Sequence, residues 1–223
     1  MNASGLGSGD HDFSIVKYLK SINLSFEWDV YDSSENPYLK KSALEKSIQD
    51  LDINLIYFDY TKTMNNDNKR YDIILFTEIA EHLDHSTLLN ALNYLNEKLK
   101  DEGKLIVTSP NALWFLARIK NLFGREGNEY YGGGNRNLDK KVYGHIVYYT
   151  PQRIQRIVED CGFKVGELFT FNWLFITNSN NFIGKIFTKI VDFPTIFVKN
   201  SKGTIFLCAE KNKSNKYKIP FAV

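Results

Sequence analysis

Short runs rich in Ile, Val, Phe and Tyr alternate along the chain with longer stretches whose apolar residues recur every three or four positions. The short runs predict strands at 26–31, 55–59, 72–76, 104–108, 165–172 and 204–209, and the helical period predicts helices at 13–20, 37–49, 87–100, 113–122 and 151–160. Strand and helix taking turns is the pattern of βαβ units, so the expectation is an α/β fold built on a largely parallel sheet. Local signals sharpen the boundaries. Pro37 and Pro151 fall where a first helical turn tolerates proline, Thr150 is placed to cap the helix that follows it, and Gly162 after Cys161 is a helix stop.

Two stretches break the rhythm. Residues 124–144 hold Gly132-Gly133-Gly134, three asparagines and Tyr130-Tyr131 without an apolar period, too long for a routine connector; this is a lid-like loop or a mobile excursion. Residues 178–200 interleave Phe182, Ile183, Ile186, Phe187, Ile190 and Phe193 with Lys185, Lys189 and Lys199. They read first as an amphipathic helix pair that packs on the domain's own surface, with a lipid- or partner-facing surface, and so peripheral membrane contact through 182–198, as the alternative. A single domain over 1–211 followed by a polar tail, 212–223, accommodates all of this.

Composition narrows the classes. At 223 residues, with 43% hydrophobic and 24% charged residues and a net charge of +2, the chain is an ordinary globular one. Its sequence pI of about 8.3 lies below the range that marks nucleic acid as a main partner. Two cysteines, Cys161 and Cys208, form neither a disulfide framework nor a thiolate zinc site, which suits a reducing compartment. Without an 18-residue apolar run or a secretory signal pattern at Met1–Gly5, the expected location is the cytoplasm.

The candidate chemistry begins at Gly5-Leu6-Gly7-Ser8-Gly9-Asp10, which leads directly into the first helix. Glycines at such a turn let a ligand approach the backbone and leave helix N-terminal N–H groups free for it. The dinucleotide pattern G-x-G-x-x-G fails in both registers, at Asp10 and at Asp12. Next, Trp28-Asp29-Val30-Tyr31-Asp32 is a strand ending in an acid, where a carboxylate can accept both hydroxyls of a ribose.

Three further pieces follow in order: Ile56-Tyr57-Phe58-Asp59, the run from Tyr71 through Thr77-Glu78-Ile79-Ala80-Glu81-His82-Leu83, and the run from Leu99 through Gly103 to Thr108-Ser109-Pro110-Asn111. With Gly144-His145 to Thr150-Pro151 and the helix ending at Gly162-Phe163, they resemble the class I S-adenosylmethionine-dependent methyltransferases over most of residues 5–175. That resemblance implies a Rossmann-like sheet of order 3-2-1-4-5-7-6 with the last strand antiparallel. It places Gly7 and Gly9 against the methionine moiety, Asp32 on the ribose hydroxyls, Asp59 on the adenine amino group and Thr77 beneath the sulfonium. Read without the resemblance, Asp32 and Asp59 are also good turn-initiating or capping residues. The chain departs from the family pattern in having Gly5 where an acid is usual and His11 where a glycine is usual. Only Met1–Leu6 are present to supply the central first strand, which is therefore expected to be shortened or missing.

Within the resemblance, Glu78-x-x-Glu81-His82 with His145 is similar to the metal-assisted O-methyltransferases of ubiquinone biosynthesis and the small-RNA 2′-O-methyltransferases. It implies Mg²⁺ or another divalent ion on Glu78, Glu81, His82 and His145. Acids and an imidazole three and four residues apart are a sensible donor set for such an ion. His145, and His82 beside it, are equally candidates for catalytic proton transfer or for a purely structural role. The implied activity is methyl transfer to a hydroxyl of a small molecule, glycan or lipid-linked acceptor. A degenerate, non-catalytic partner subunit is the competing expectation. RNA methylation is a third, weakened because no concentrated basic stripe with interleaved aromatics appears outside residues 140–149.

Overall fold

The computed structural model describes residues 10–32, 42–57, 68–125, 145–172, 195 and 197–213. In chain order these form α1 (Asp10–Ser21), β1 (Trp28–Asp32), α2 (Ser42–Asp50), β2 (Ile53–Tyr57), β3 (Tyr71–Thr77), a 3-10 turn (Ala80–His82), α3 (His85–Lys98), β4 (Leu99–Pro110), α4 (Phe115–Leu122), α5 (Pro151–Asp160), β5 (Phe163–Phe171) and β6 (Thr204–Lys211). The six strands and five helices expected between residues 13 and 172 and at 204–209 are present with ends shifted by a few residues, while Pro37 and the start of the expected helix 37–49, residues 58–59, and the expected helix pair at 178–200, apart from 195 and 197–200, lie outside the described residues. The largest shift is at β4, which starts at Leu99 because the backbone turns extended there and residues 100–103 bulge before the ladder with β3 resumes at Ile73 and Lys104. None of the described helices is long and apolar enough to cross a membrane.

The strands form two sheets. β1 and β2 pair in parallel, while the other four take the order β3-β4-β6-β5, in which β3 and β4 are parallel and β6 is antiparallel to both its neighbours. These are the expected blocks 3-2 and 4-5-7-6, and no described strand joins them. Met1–Leu6, the candidate for the first strand, lie outside the described residues. So do Gly7, Gly9, Asp59, residues 126–144 of the lid-like loop, most of the amphipathic insert and residues 214–223 of the tail. At the ends of these segments, Gly124 has a φ of +66°, Thr195 is buried and Phe197 is 75% exposed.

Alternation along the strands divides the core. Ile74 and Phe76 of β3, Leu105 and Val107 of β4, and Ile205, Leu207 and Ala209 of β6 face one side, where α3 and α5 cover them with Leu88, Leu92, Leu95, Ile154 and Val158. The three-and-four spacing of Ile154, Ile157, Val158 and Cys161 puts all four against this face. Val16 of α1 and Leu44 of α2 pack on Trp28, Val30 and Ile53 in a second cluster. Both ends of α5 are as expected, with the Thr150 hydroxyl accepting from the Arg153 N–H at 3.2 Å and Gly162 at a φ of +84° ending the helix.

The facing sides of β1 and β3 are joined by side chains rather than by a ladder. The Tyr71 hydroxyl donates to Asp29 Oδ2 at 2.7 Å, so the 2.6 Å contact between the Tyr31 and Tyr71 hydroxyls has Tyr31 as donor. Asn54 Nδ2 donates to Asp29 Oδ1 at 3.2 Å, and Lys69 Nζ lies 2.6 Å from Asp29 Oδ2. Asp29 is 1% exposed, and burial by itself pushes its carboxyl upward. Hydrogen bonds from Lys69, Tyr71 and Asn54, with the Lys69 charge, outweigh that and hold it below the ordinary carboxylate value.

α3 is started by Asp84, whose Oδ1 accepts from the Thr87 N–H at 3.0 Å and from the Ser86 hydroxyl at 2.6 Å. These bonds, led by Ser86, hold the Asp84 carboxyl well below its ordinary value. Asp84→Ala is expected to cost about 1 kcal/mol, read as a lower denaturant midpoint at neutral pH. The loss relative to the parent should vanish as pH falls through the depressed carboxyl pKa, because protonation removes the same acceptor from the parent.

Candidate active site

The carboxyl ends of parallel strands are where an open α/β sheet presents its ligand site. Asp32 closes β1, half-buried, opposite Tyr57 of β2. Thr77 closes β3 opposite Thr108 of β4. Beside Thr77 lies a cavity of about 130 Å³, walled by Asp12 and Ile15 of α1, Thr77 and Glu78, Thr108 and Phe171. That is room for roughly four waters at about 30 Å³ each, a subsite rather than a whole ligand pocket.

After Thr77 the chain reverses sharply. Glu78 has a φ of +55°, a strained region for a residue with a side chain, and its N–H donates to the Thr108 carbonyl at 3.0 Å. Its carboxylate accepts from the Thr108 hydroxyl at 2.9 Å and opens onto the cavity. The residue is exposed overall, yet desolvation of the carboxyl pushes its pKa up despite hydrogen bonds to Thr108 and Glu81.

Glu81 sits within the 3-10 turn at 0% exposure. Its backbone carbonyl accepts from the N–H groups of Ile146 at 2.8 Å and Val147 at 3.2 Å, which draws the segment carrying His145 onto the turn. Tyr149, 1% exposed, anchors the other end of that segment through its carbonyl, which accepts from the Ala112 N–H at 2.8 Å just past β4. The result is a cluster in which Glu81, His82 and His145 each bring a ligand atom within 4.8 Å of the others. The two imidazoles meet edge to face, with centroids 4.9 Å apart.

The cluster is short of hydrogen bonds. Glu81 Oε2 accepts from the Ser109 hydroxyl at 3.3 Å, but Glu81 Oε1 and His145 Nδ1 are buried with no hydrogen-bond partner. The 3.8 Å approach of His145 Nε2 to Glu81 Oε1 is too long for a hydrogen bond. Burial first, and then the Glu78 charge, push the Glu81 carboxyl well above its ordinary value. Burial, and then His82, push His145 down to about 4, so its imidazole is neutral at pH 7. A buried carboxylate oxygen without a hydrogen bond and a neutral imidazole whose Nε2 lies 3.8 Å from it are donors of the kind a divalent cation satisfies.

Three of the four metal ligands implied by the sequence are thus brought together. Glu78 is not among them: its positive φ sets it apart from the turn that carries Glu81 and His82, and its carboxylate accepts from Thr108 and lines the cavity, while still within hydrogen-bonding reach of the Glu81 carboxyl. Sequence reading missed Asp12, Thr108 and Ser109. Asp12 marked only the start of a helix, and the other two were part of a strand end, so a local pattern carried no signal of what they touch.

A methyltransferase-domain family model matches residues 6–168. The chain belongs to that family. No curated protein matches this methyltransferase in sequence. In structure it is similar to a SAM-dependent methyltransferase from Archaeoglobus fulgidus, with a TM-score of 0.55 at 16% identity over 94% of this chain and 85% of that one. It is similar also to the mitomycin 7-O-methyltransferase MmcR (TM-score 0.56, 11% identity, 94% and 48%) and to LepI in complex with SAM (TM-score 0.53, 8% identity, 95% and 42%). It therefore spans less than half the length of the last two. At such identities the likeness is one of fold, the Rossmann-like α/β architecture.

Proposed function

We propose that this methyltransferase moves the methyl group of S-adenosylmethionine to a hydroxyl of a small-molecule, sugar or lipid-linked acceptor, aided by a divalent cation on Glu81, His82 and His145. The observation that carries the reading is the convergence of these three ligand groups, two of them with buried atoms that lack a partner. In the reaction the acceptor oxygen forms a bond to the methyl carbon as the sulfur–methyl bond breaks, the sulfonium becomes a neutral thioether, and the hydroxyl proton departs. A bound divalent ion supplies positive charge that orients a hydroxyl and lowers its pKa.

The rest is positioning by the chain itself. Thr77 and Thr108 form the floor beside the reacting centre, Asp32 takes the ribose hydroxyls, and the tethered 145–149 segment holds His145 over the turn. A neutral imidazole with a pKa near 4 is a weak base at pH 7, which favours the ligand role of His145 over that of general base. Support for the oxygen acceptor comes from the likeness to a 7-O-methyltransferase together with this cluster.

The test is transfer of a labelled methyl group from S-adenosylmethionine to a panel of hydroxyl compounds, with and without divalent ions. Transfer that ignores chelation would remove the cation, and transfer only to amines would remove the hydroxyl acceptor. Cofactor binding is checked by calorimetric titration with S-adenosylhomocysteine. Asp32→Ala should weaken that binding by about 1–3 kcal/mol, the range for a hydrogen bond to a charged group; unchanged affinity would take Asp32 off the ribose.

A further inference from the structure

We infer that α4 and residues 197–203 form a face that docks this methyltransferase on an anionic lipid surface, where its acceptor is held. The inference rests on the methyl-transfer reading above and narrows the acceptor to the lipid-linked class. A helix of a globular domain normally turns its large apolar side chains into the core. α4 contributes Phe115, Leu116, Ile119 and Leu122, yet Ala117 is its one fully buried residue, and neither apolar cluster of the described residues includes any part of it. The apolar surface continues past its end, with Leu122 83% and Phe123 78% exposed just ahead of Gly124. Two consecutive large apolar side chains in the open mark a surface built to meet something apolar.

Hydrogen bonds tie a second stretch to this helix. The Phe115 N–H donates to the Ser201 carbonyl at 2.8 Å, and Asn111 Nδ2, just ahead of α4, donates to the carbonyls of Asn200 at 2.8 Å and Lys202 at 2.7 Å. Phe197, also largely exposed, stands at the start of that stretch. Residues 111–125 and 197–203 carry Arg118, Lys120, Arg125, Lys199 and Lys202 and no Asp or Glu. The sign holds through the adjoining sequence, since 111–144 and 173–203 together have ten Lys or Arg against four Asp or Glu, while the rest of the chain has more acids than bases. Apolar tips bordered by cations match a bilayer interface: the tips enter the acyl boundary, and each cation is drawn to the lipid phosphates. A fluid surface needs no concave counterpart, which suits side chains that protrude from a helix end. The same face adjoins the site, because the Ala112 N–H donates at 2.8 Å to the carbonyl of Tyr149 in the segment that holds His145.

The experiment is co-sedimentation of the full chain with vesicles of phosphatidylcholine alone and of phosphatidylcholine mixed with phosphatidylglycerol, at low and high salt. The parent should bind the anionic vesicles at least about tenfold more tightly than the neutral ones, and rising salt should shrink that ratio. Two double variants separate the contributions. Leu122→Ser with Phe123→Ser removes the apolar tips, and Arg125→Glu with Lys199→Glu reverses two charges; each should weaken binding to anionic vesicles by about tenfold or more. All four positions are exposed, so both variants should keep the parent's melt and its affinity for S-adenosylhomocysteine within about twofold. Absence of binding to anionic vesicles, equal binding to neutral ones, or binding that both variants retain would overturn the inference, the last by placing the contact elsewhere on the chain. Retention of the chain by RNA in place of vesicles would overturn it as well. Failure of folded parent protein to bind S-adenosylhomocysteine would overturn the methyl-transfer reading, a result distinct from cofactor binding without docking.

Discussion

Removal of divalent ions by a chelator is expected to lower methyl transfer on the order of a hundredfold, and added Mg²⁺ or Mn²⁺ to restore it. Glu81→Gln and His145→Ala should each produce a similar loss that added metal does not repair. The expectation follows from the unsatisfied state of the cluster: Glu81 Oε1 and His145 Nδ1 are buried without a hydrogen bond, and a fold that leaves two such atoms in one cluster forgoes about 1–3 kcal/mol for each. Because that deficit belongs to the fold, replacing Glu81 with the similarly sized but apolar methionine should leave the ion-free protein at least as stable while abolishing turnover. A structural Glu81 predicts the reverse, with stability falling and metal dependence unchanged. Melting offers a readout independent of any acceptor, since an ion at a hundred times its dissociation constant stabilises the native state by about 2.7 kcal/mol. An unshifted melt in millimolar Mg²⁺ and Mn²⁺, together with chelator-insensitive turnover, would leave the cluster without an ion.

Asp29→Ala should be the most damaging single change away from the site, at about 3 kcal/mol or a drop in Tm of roughly 10 °C. The carboxylate accepts from Tyr71 and Asn54 and pairs with Lys69, and its removal takes a buried acceptor from all three at the junction of the two sheets, leaving Lys69 its pairing with Glu27 at 3.3 Å. Lys69, 39% exposed, recovers some hydration, which keeps the figure at the lower end of the range for a broken buried pair. Tyr31→Phe removes only the outermost donor and leaves the bond from Tyr71 to Asp29 intact, so about 1 kcal/mol is expected. Since the Asp29 carboxyl is held below its unfolded value of about 3.9, its contribution is complete above that pH and disappears as pH falls through the depressed folded value. Thermal melts of parent and variant at pH 7 should therefore differ widely and converge in acid. A difference below about 1 kcal/mol at pH 7 would mean that backbone and apolar packing alone hold β1 against β3.

How far the site could be read in advance differs from residue to residue. Thr150, Pro151 and Gly162 act through their immediate neighbours, and their places at the ends of α5 follow from those neighbours alone. Asp32 and Thr77 fall at strand ends because the strands themselves are legible from their apolar runs. Glu78 shows where such reading stops. Spacing groups it with Glu81 and His82, yet a positive φ turns it toward Thr108, a choice made by the ladder between β3 and β4. Asp12 is plainer still, since it accepts from a tryptophan on β1 and lines a cavity walled by five elements.

Periodicity and local capping, then, determined the elements of this protein, their order and the apolar faces that α3 and α5 cover, because each depends on residues within a turn or two. Family motifs in the same order determined which chemistry to look for. The tertiary structure alone decided that Asp29 bridges β1 and β3, and that His145 reaches Glu81 while Glu78 accepts from Thr108. The physical reason is that burial of apolar surface is non-directional and leaves its mark as a repeating pattern, whereas a hydrogen bond or a ligand set requires particular atoms to meet at about 3 Å. Those atoms come from distant parts of the chain, and only the packed fold brings them together.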